Sequence, residues 1–240
     1  MSRLRLDKYL ADMGKGTRTQ VKGMIRSGRV TVNGQVIKTA EWKVDTEQDA
    51  ILLDDQPIRY ETMEYWMLHK PSGVVSATTD AKEKTVLDLL PDAVRKDLFP
   101  VGRLDKDTEG LLLITNDGAL AHRLLSPRSH VDKMYYAKIQ GKVTQADAEL
   151  FARGVDIGDE KPTLPAKLEI RKSDQLSEIL ITIQEGRYHQ IKRMFEAAGK
   201  QVIYLKRLSM GPLVLDEQLK AGEARRLTGE ERNQLCHFYQ

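Results

Sequence analysis

Leu6, Tyr9, Leu10 and Met13 recur at i, i+3, i+4 and i+7, the apolar stripe of a short helix, and Gly14 and Gly16 punctuate its end. Thr17-Arg18-Thr19-Gln20 has the form of a capping box, so a second helix should begin there with Val21, Met24 and Ile25 on its buried face. Beyond Gly28 the period switches. Arg29-Val30-Thr31-Val32, Asn33-Gly34 and Gln35-Val36-Ile37 read as strand, tight turn and strand, with Ala50-Ile51-Leu52-Leu53 as a returning third strand.

From about residue 56 the texture changes. Glu64 to Leu68 reads as a buried strand, Lys70-Pro71-Ser72-Gly73 as a turn, residues 78–84 as a polar loop, and residues 85–91 as one short helix stopped by Pro91. Leu111 to Ile114 form a fully apolar run, the mark of a strand buried on both faces. Ile191, Met194, Phe195 and Ala198 restore the helical period, with Gly199 just past the end. Residues 202–205 and 213–215 complete the set as a core strand and a short strand. The expected fold class is therefore α+β in two parts, residues 1–60 and 61–240.

Composition narrows the functional classes. Of the 240 residues, 40% are hydrophobic and 30% charged, enough for a core and inconsistent with a disordered chain. No stretch approaches the roughly 18 apolar residues that a membrane helix needs. An N-terminus charged from Arg3 onward does not resemble a signal peptide, so a cytoplasmic protein is expected. The single Cys236 forms no internal disulfide and supplies no multi-thiolate metal site. No Walker loop or nucleotide fingerprint is present, which argues against a nucleotide cofactor.

Net charge is only +3, but its distribution is uneven. Residues 1–40 carry nine Lys or Arg against Asp7 and Asp12, a local +7, whereas residues 41–60 carry −4 and the remainder is neutral. A small module that binds a polyanion, attached to a neutral body, has this footprint. Within it Arg18, Lys22 and Arg26 lie four residues apart on one helix face, where like charges repel until a counter-charge such as phosphate arrives.

Gly102-Arg103-Leu104-Asp105-Lys106-Asp107-Thr108-Glu109-Gly110 packs charge between glycines and runs straight into the apolar strand. On its residues alone it is a salt-bridged connector, with Arg103 paired to Asp107 or Glu109, or an acid pair of the kind used by glycosidases and metal-ion sites. His189 fits a backbone-bonded structural histidine, and Gly186-Arg187-Tyr188, at a helix start, fits a phosphate contact.

Two resemblances choose among these readings. The order Arg-Leu-Asp-Lys-Tyr-Leu, Thr-Arg-Thr-Gln-Val, Ile-Arg-Ser-Gly-Arg-Val-Thr-Val-Asn-Gly resembles the S4 RNA-binding module, which implies an RNA face at Arg18, Lys22, Arg26 and Arg29. The segment from Gly102 to Leu112 resembles the catalytic motif of the RsuA/RluA branch of pseudouridine synthases, with Asp105 at the position of the catalytic aspartate. Lys133-Met134-Tyr135 and Glu185 to Phe195 come next in the family's order. The resemblance implies an active-site Tyr135, a basic partner for the aspartate at Lys192, and an Arg103 that fills the space left by an extruded base.

Together the two resemblances imply an S4-like module before a catalytic domain with a mixed, largely antiparallel sheet cut by a basic cleft. The enzyme would isomerise one uridine of RNA without cofactor or metal. The version of the third motif, with Lys161 to Ala166 before it, is most similar to the RsuA type, which acts on small-subunit (16S) rRNA. The expected partner is rRNA or an assembling ribosomal subunit, and the expected state a monomer. A large-subunit (23S) rRNA target, or a non-catalytic RNA-binding assembly protein, are the alternatives.

Overall fold

In the computed structural model, residues 3–126 and 129–237 are described. The chain forms two compact units: one runs to Glu64 and takes back Asp92–Leu98, and the other comprises Tyr65–Pro91 and everything from Phe99 onward.

In the first unit, strand β1 (Arg3–Arg5) leads directly into helix α1 (Leu6–Asp12), and helix α2 spans Arg18–Arg26. The capping box forms: the Thr17 hydroxyl accepts from the Gln20 amide at 3.3 Å, and the Gln20 side chain accepts from the Thr17 amide at 2.8 Å. Leu6, Tyr9, Leu10, Val21 and Ile25 are fully or almost fully buried, each contributing about 1.5–3 kcal/mol of apolar transfer. They pack over strands β2 (Val30–Val32), β3 (Gln35–Val36), β5 (Ile51–Leu53) and β6 (Gln56–Ile58), a four-stranded sheet in the order β3-β2-β5-β6. Asn33 and Gly34 both have positive φ, as the two-residue turn between β2 and β3 requires. Strand β4 (Lys43–Asp45) pairs with β1 instead, a ribbon that hydropathy did not announce because it is short and mostly polar.

Residues 92–98 belong to this unit through specific bonds. The Glu64 carboxylate accepts from the Val94 and Arg95 amides, Arg95 pairs with Asp97 and Asp12, and Val94 packs on the apolar cluster.

The second unit is built on one mixed sheet. Its strands are β7 (Tyr65–Lys70), β8 (Phe99–Pro100), β9 (Glu109–Thr115), β10 (Lys133–Gln140), β11 (Lys167–Lys172), β12 (Leu176–Ile183), β13 (Gln201–Met210), β14 (Leu213–Val214) and β15 (Ala224–Arg226). The order is β11-β12-β10-β13-β9-β7-β15, with β8 on β9 and β14 on β13. Every strand pairing is antiparallel except β9 with β13, so the sheet is mixed and largely antiparallel, as expected.

Gly110 makes the parallel seam possible. Its φ of +103° suits glycine, and a Cβ there would lie 2.2 Å from the Arg207 carbonyl oxygen. Leu111 to Ile114 are completely buried on both faces. Around the sheet lie helices α3 (Gly118–Leu125), α4 (Gln145–Arg153), α5 (Gln190–Ala197) and α6 (Gly229–His237), and the expected helix before Pro91 is a single 3-10 turn, Val86–Leu89. Among the described residues, no helix is long and apolar enough to cross a membrane.

Candidate active site

The loop from Val101 to Thr108 enters β9, whose burial anchors its far end. Its near end is held from the segment that follows β7. The Ser76 hydroxyl donates to the Leu104 carbonyl at 2.8 Å and accepts from the Leu104 amide at 3.1 Å, while the Gly73 amide donates to the Lys106 carbonyl at 2.8 Å. Between these clasps lies Lys70, fully buried at the end of β7. Its ammonium donates to the carbonyls of Pro71, Asp105, Lys106 and Thr108 at 2.9–3.1 Å. Burial pushes its pKa down to about 8 even though Asp107, Asp105 and Glu109 act in the opposite direction. Its sequence context, Lys70-Pro71-Ser72-Gly73, is that of a turn, yet Lys70 is the last residue of β7. Nothing local marks a lysine three of whose four acceptors are main-chain oxygens 35–38 residues away.

The opposite wall is α5. Gln190, Ile191, Met194 and Phe195 are buried, with the Phe195 ring edge-on to Phe151 at 4.9 Å. That face directs Lys192 to the loop: its ammonium lies 3.2 Å from Asp105 Oδ2 and 2.6 Å from Asp107 Oδ1. Burial works against the Lys192 charge, but the two carboxylates outweigh it and hold its pKa above the usual lysine value. Burial also raises the Asp107 carboxyl, and the hydrogen bond from Lys192 overcomes this and holds it below the usual range. Asp107, 68% exposed, thus shares the ammonium with the more sheltered Asp105.

Tyr135 comes from β10, where it alternates inward with Lys133 and Ala137. It lines a 70 Å³ recess with Leu104, Asp105, Thr108 and Leu205, and this opens beside a 980 Å³ cavity bordered by Arg103, Asp105 and Lys192. Arg103 is exposed, and among the described residues it pairs with neither Asp107 nor Glu109. Those acids are engaged by Lys192 and by the Tyr204 hydroxyl, so the connector reading of Arg103 fails.

Two expectations change. Arg187 lines the cavity, but its guanidinium is spent on the Glu185 and Asp159 carboxylates and the Lys161 and Pro162 carbonyls. Its amide, moreover, donates to the Gln190 side chain. It braces residues 159–162 rather than offering free donors to a phosphate. His189 is not a backbone-bonded histidine: its Nε2 lies 3.6 Å from Asp105 Oδ1 and its backbone is left-handed, with φ 49°.

In the first unit, Arg18 and Arg26 are exposed along α2, Lys22 lies 3.9 Å from the Asp7 carboxylate, and Arg29 forms a two-pronged pair with Asp54. Asp105, Tyr135, Lys192, Arg103 and Arg187 thus converge in the second unit, and the four basic residues of the S4-like module belong to the first. Among the described residues, no group of three or more His, Cys, Asp or Glu is arranged to hold a metal ion.

Residues 64–197 match the model of the RNA pseudouridylate synthase family, and residues 4–51 match the S4 domain. The chain belongs to the RNA pseudouridylate synthase family. It is 46% identical to the RNA pseudouridine synthase YtzG of Bacillus subtilis over 97% of this chain and 98% of that one. It is also 42% identical to ribosomal small subunit pseudouridine synthase A of Escherichia coli K12, over 95% and 98% of the two chains. A solved pseudouridylate synthase superposes with a TM-score of 0.68 at 38% identity, covering 97% of this chain and 99% of its own. As a pseudouridine synthase with an S4 domain, the protein is an RNA-binding isomerase.

Proposed function

We propose that the protein converts one uridine of small-subunit ribosomal RNA to pseudouridine, with Asp105 as the reacting carboxylate. The reading is carried by the ion pair that holds Asp105 beside Lys192 on the edge of a recess lined by Tyr135. The reaction breaks the bond between ribose C1′ and uracil N1, turns the base and rejoins it through C5. Nothing is added or lost overall, so the chemistry requires no cofactor.

An ionised aspartate serves either as a nucleophile or as a base while the uracil is detached. Lys192, 3.2 Å from the carboxylate, fixes its orientation, and Tyr135 offers uracil an aromatic face and a phenol near C5. Arg103, exposed and without an ion-pair partner among the described residues, suits the space vacated by the extruded base, which lowers the few kcal/mol that extrusion costs. Arg18, Lys22, Arg26 and Arg29 supply backbone contacts that capture RNA. The small-subunit target is supported by the near full-length likeness to enzymes of that name. We place the enzyme in the cytoplasm, as a monomer acting on rRNA or an assembling subunit.

The test is incubation of the protein and of its Asp105→Asn variant with unmodified small-subunit rRNA, free and in assembling particles. Pseudouridine is then located by carbodiimide-blocked reverse transcription. One wild-type stop that the variant lacks is expected. Modification of large-subunit rRNA alone would overturn the target, and binding without modification of any RNA would overturn the catalytic reading.

A further inference from the structure

Tyr188 leaves 75% of its surface in water, more than any other large apolar side chain among the described residues. An aromatic ring is a poor choice for an ordinary exposed position, and this one is not loose. It stacks on His189 with ring centroids 3.8 Å apart and planes 18° apart. The Tyr188 carbonyl accepts from Arg193 Nη1 at 3.1 Å, and the same guanidinium is tied to Asp159 and to the Ile157 carbonyl. His189 itself is held in the left-handed region, a conformation that costs a non-glycine residue energy and concentrates at functional sites.

The two rings form a ledge. Its inner member reaches to 3.6 Å from Asp105, and its outer member lines the 980 Å³ cavity that Arg103 and Lys192 also border. Among the described residues the Tyr188 hydroxyl makes no hydrogen bond, so the ring, stacked on one face by His189, keeps an apolar surface and a polar end that the fold does not use.

Extruding a nucleotide strips one stacking face from each neighbour that remains in the strand. An aromatic surface at the mouth of the site replaces that lost face, and does so for any base because every base has a π-face. Resting on the reading of Asp105 as the site of uridine isomerisation, we propose that Tyr188 is a stacking platform for the nucleotide adjacent to the target uridine. It is a substrate-positioning residue, and its contribution falls on RNA binding rather than on the bond-breaking step.

The test compares wild type, Tyr188→Phe and Tyr188→Ala on an rRNA fragment containing the mapped uridine, with 2-aminopurine in place of each flanking nucleotide in turn. Tyr188→Ala should raise KM about tenfold, the lower end of what a base–aromatic stack contributes, and should abolish the quenching of 2-aminopurine at one flank. Tyr188→Phe should keep wild-type KM and quenching. Because the side chain is exposed, all three should melt together.

An alanine variant with wild-type KM and quenching overturns the proposal. So does a fall in kcat at constant KM, which would mean that Tyr188 acts only through His189 on Asp105. A phenylalanine variant as weak as alanine overturns it as well, since a hydroxyl contact would then carry the effect. Wild-type turnover in the same assay separates these failures from a failure of the isomerase reading.

Discussion

Replacing Lys70 with methionine keeps the volume at the end of β7 and removes every donor. The carbonyls of Asp105 and Lys106 keep the Thr108 and Gly73 amides, so the loss falls mainly on the oxygens of Pro71 and Thr108. Leaving a buried acceptor unpaired costs about 1–3 kcal/mol, and relief from burying an ammonium offsets part of the total. A net destabilisation of about 2–4 kcal/mol at pH 7 is expected by urea unfolding. Catalysis should suffer more, because the lost bonds hold the loop that carries Asp105, and a displacement of about 1 Å costs on the order of a hundredfold in turnover.

The pH dependence has a definite sign. The Lys70 value of about 8 in the folded protein lies below its ordinary 10.5, so between these limits the unfolded chain binds more protons. Wild type should therefore gain stability relative to Lys70→Met as pH rises from 8 to 10.5, by at most about 1.4 kcal/mol per pH unit, with a flat difference below 8. A variant with wild-type kcat would refute the positioning argument. A difference that stays flat through pH 10 would refute the depressed ammonium.

Gly110→Ala should lower stability by about 3 kcal/mol or more, because its Cβ meets the Arg207 backbone and its φ disfavours any side chain. A melting temperature within a degree or two of wild type would show that the seam yields. The double variant Arg18→Ala/Arg26→Ala should weaken rRNA binding and reduce the slope of log affinity against log salt by about 1.4, as expected for two lost phosphate contacts to single-stranded RNA. An unchanged slope would remove α2 from the RNA face.

Elements whose pattern is local were legible in the sequence. The stripes of α1, α2 and α5, the Thr17 capping box, the Asn33-Gly34 turn and the apolar run of β9 each state their structure within a dozen residues. The aspartate motif was equally legible by resemblance, and Lys192 indeed lies beside Asp105. What escaped depends on distant partners. Strands β1 and β4 are three residues each and mostly polar, so neither stands out until they pair. Helix α4 alternates apolar and polar positions too loosely to stand out, and segment 92–98 has no periodicity of its own. Arg187 looked like a phosphate ligand because a sequence displays a charge and conceals its acceptors, here the carbonyls of Lys161 and Pro162. For Lys70 and His189 the decisive facts are burial and backbone conformation, which residue type alone does not specify.

The parallel seam between β9 and β13 also governs how the catalytic unit can form. Arg207 donates to the Leu111 carbonyl from 96 positions along the chain, and Lys192 reaches Asp107 across 85. Closing loops of that size incurs most of its entropy cost before any contact rewards it, so pairings of this kind form slowly. A nascent chain that has just emerged through β9 carries its aspartate loop but neither Lys192, which pairs with that loop, nor strand β13, against which β9 is buried. Activity should accordingly appear in refolding as a single late step, after the β11–β12 hairpin and its pairing with β10 are protected from hydrogen exchange. An immature enzyme with that order of assembly holds no half-built site in which to bind and mishandle a uridine.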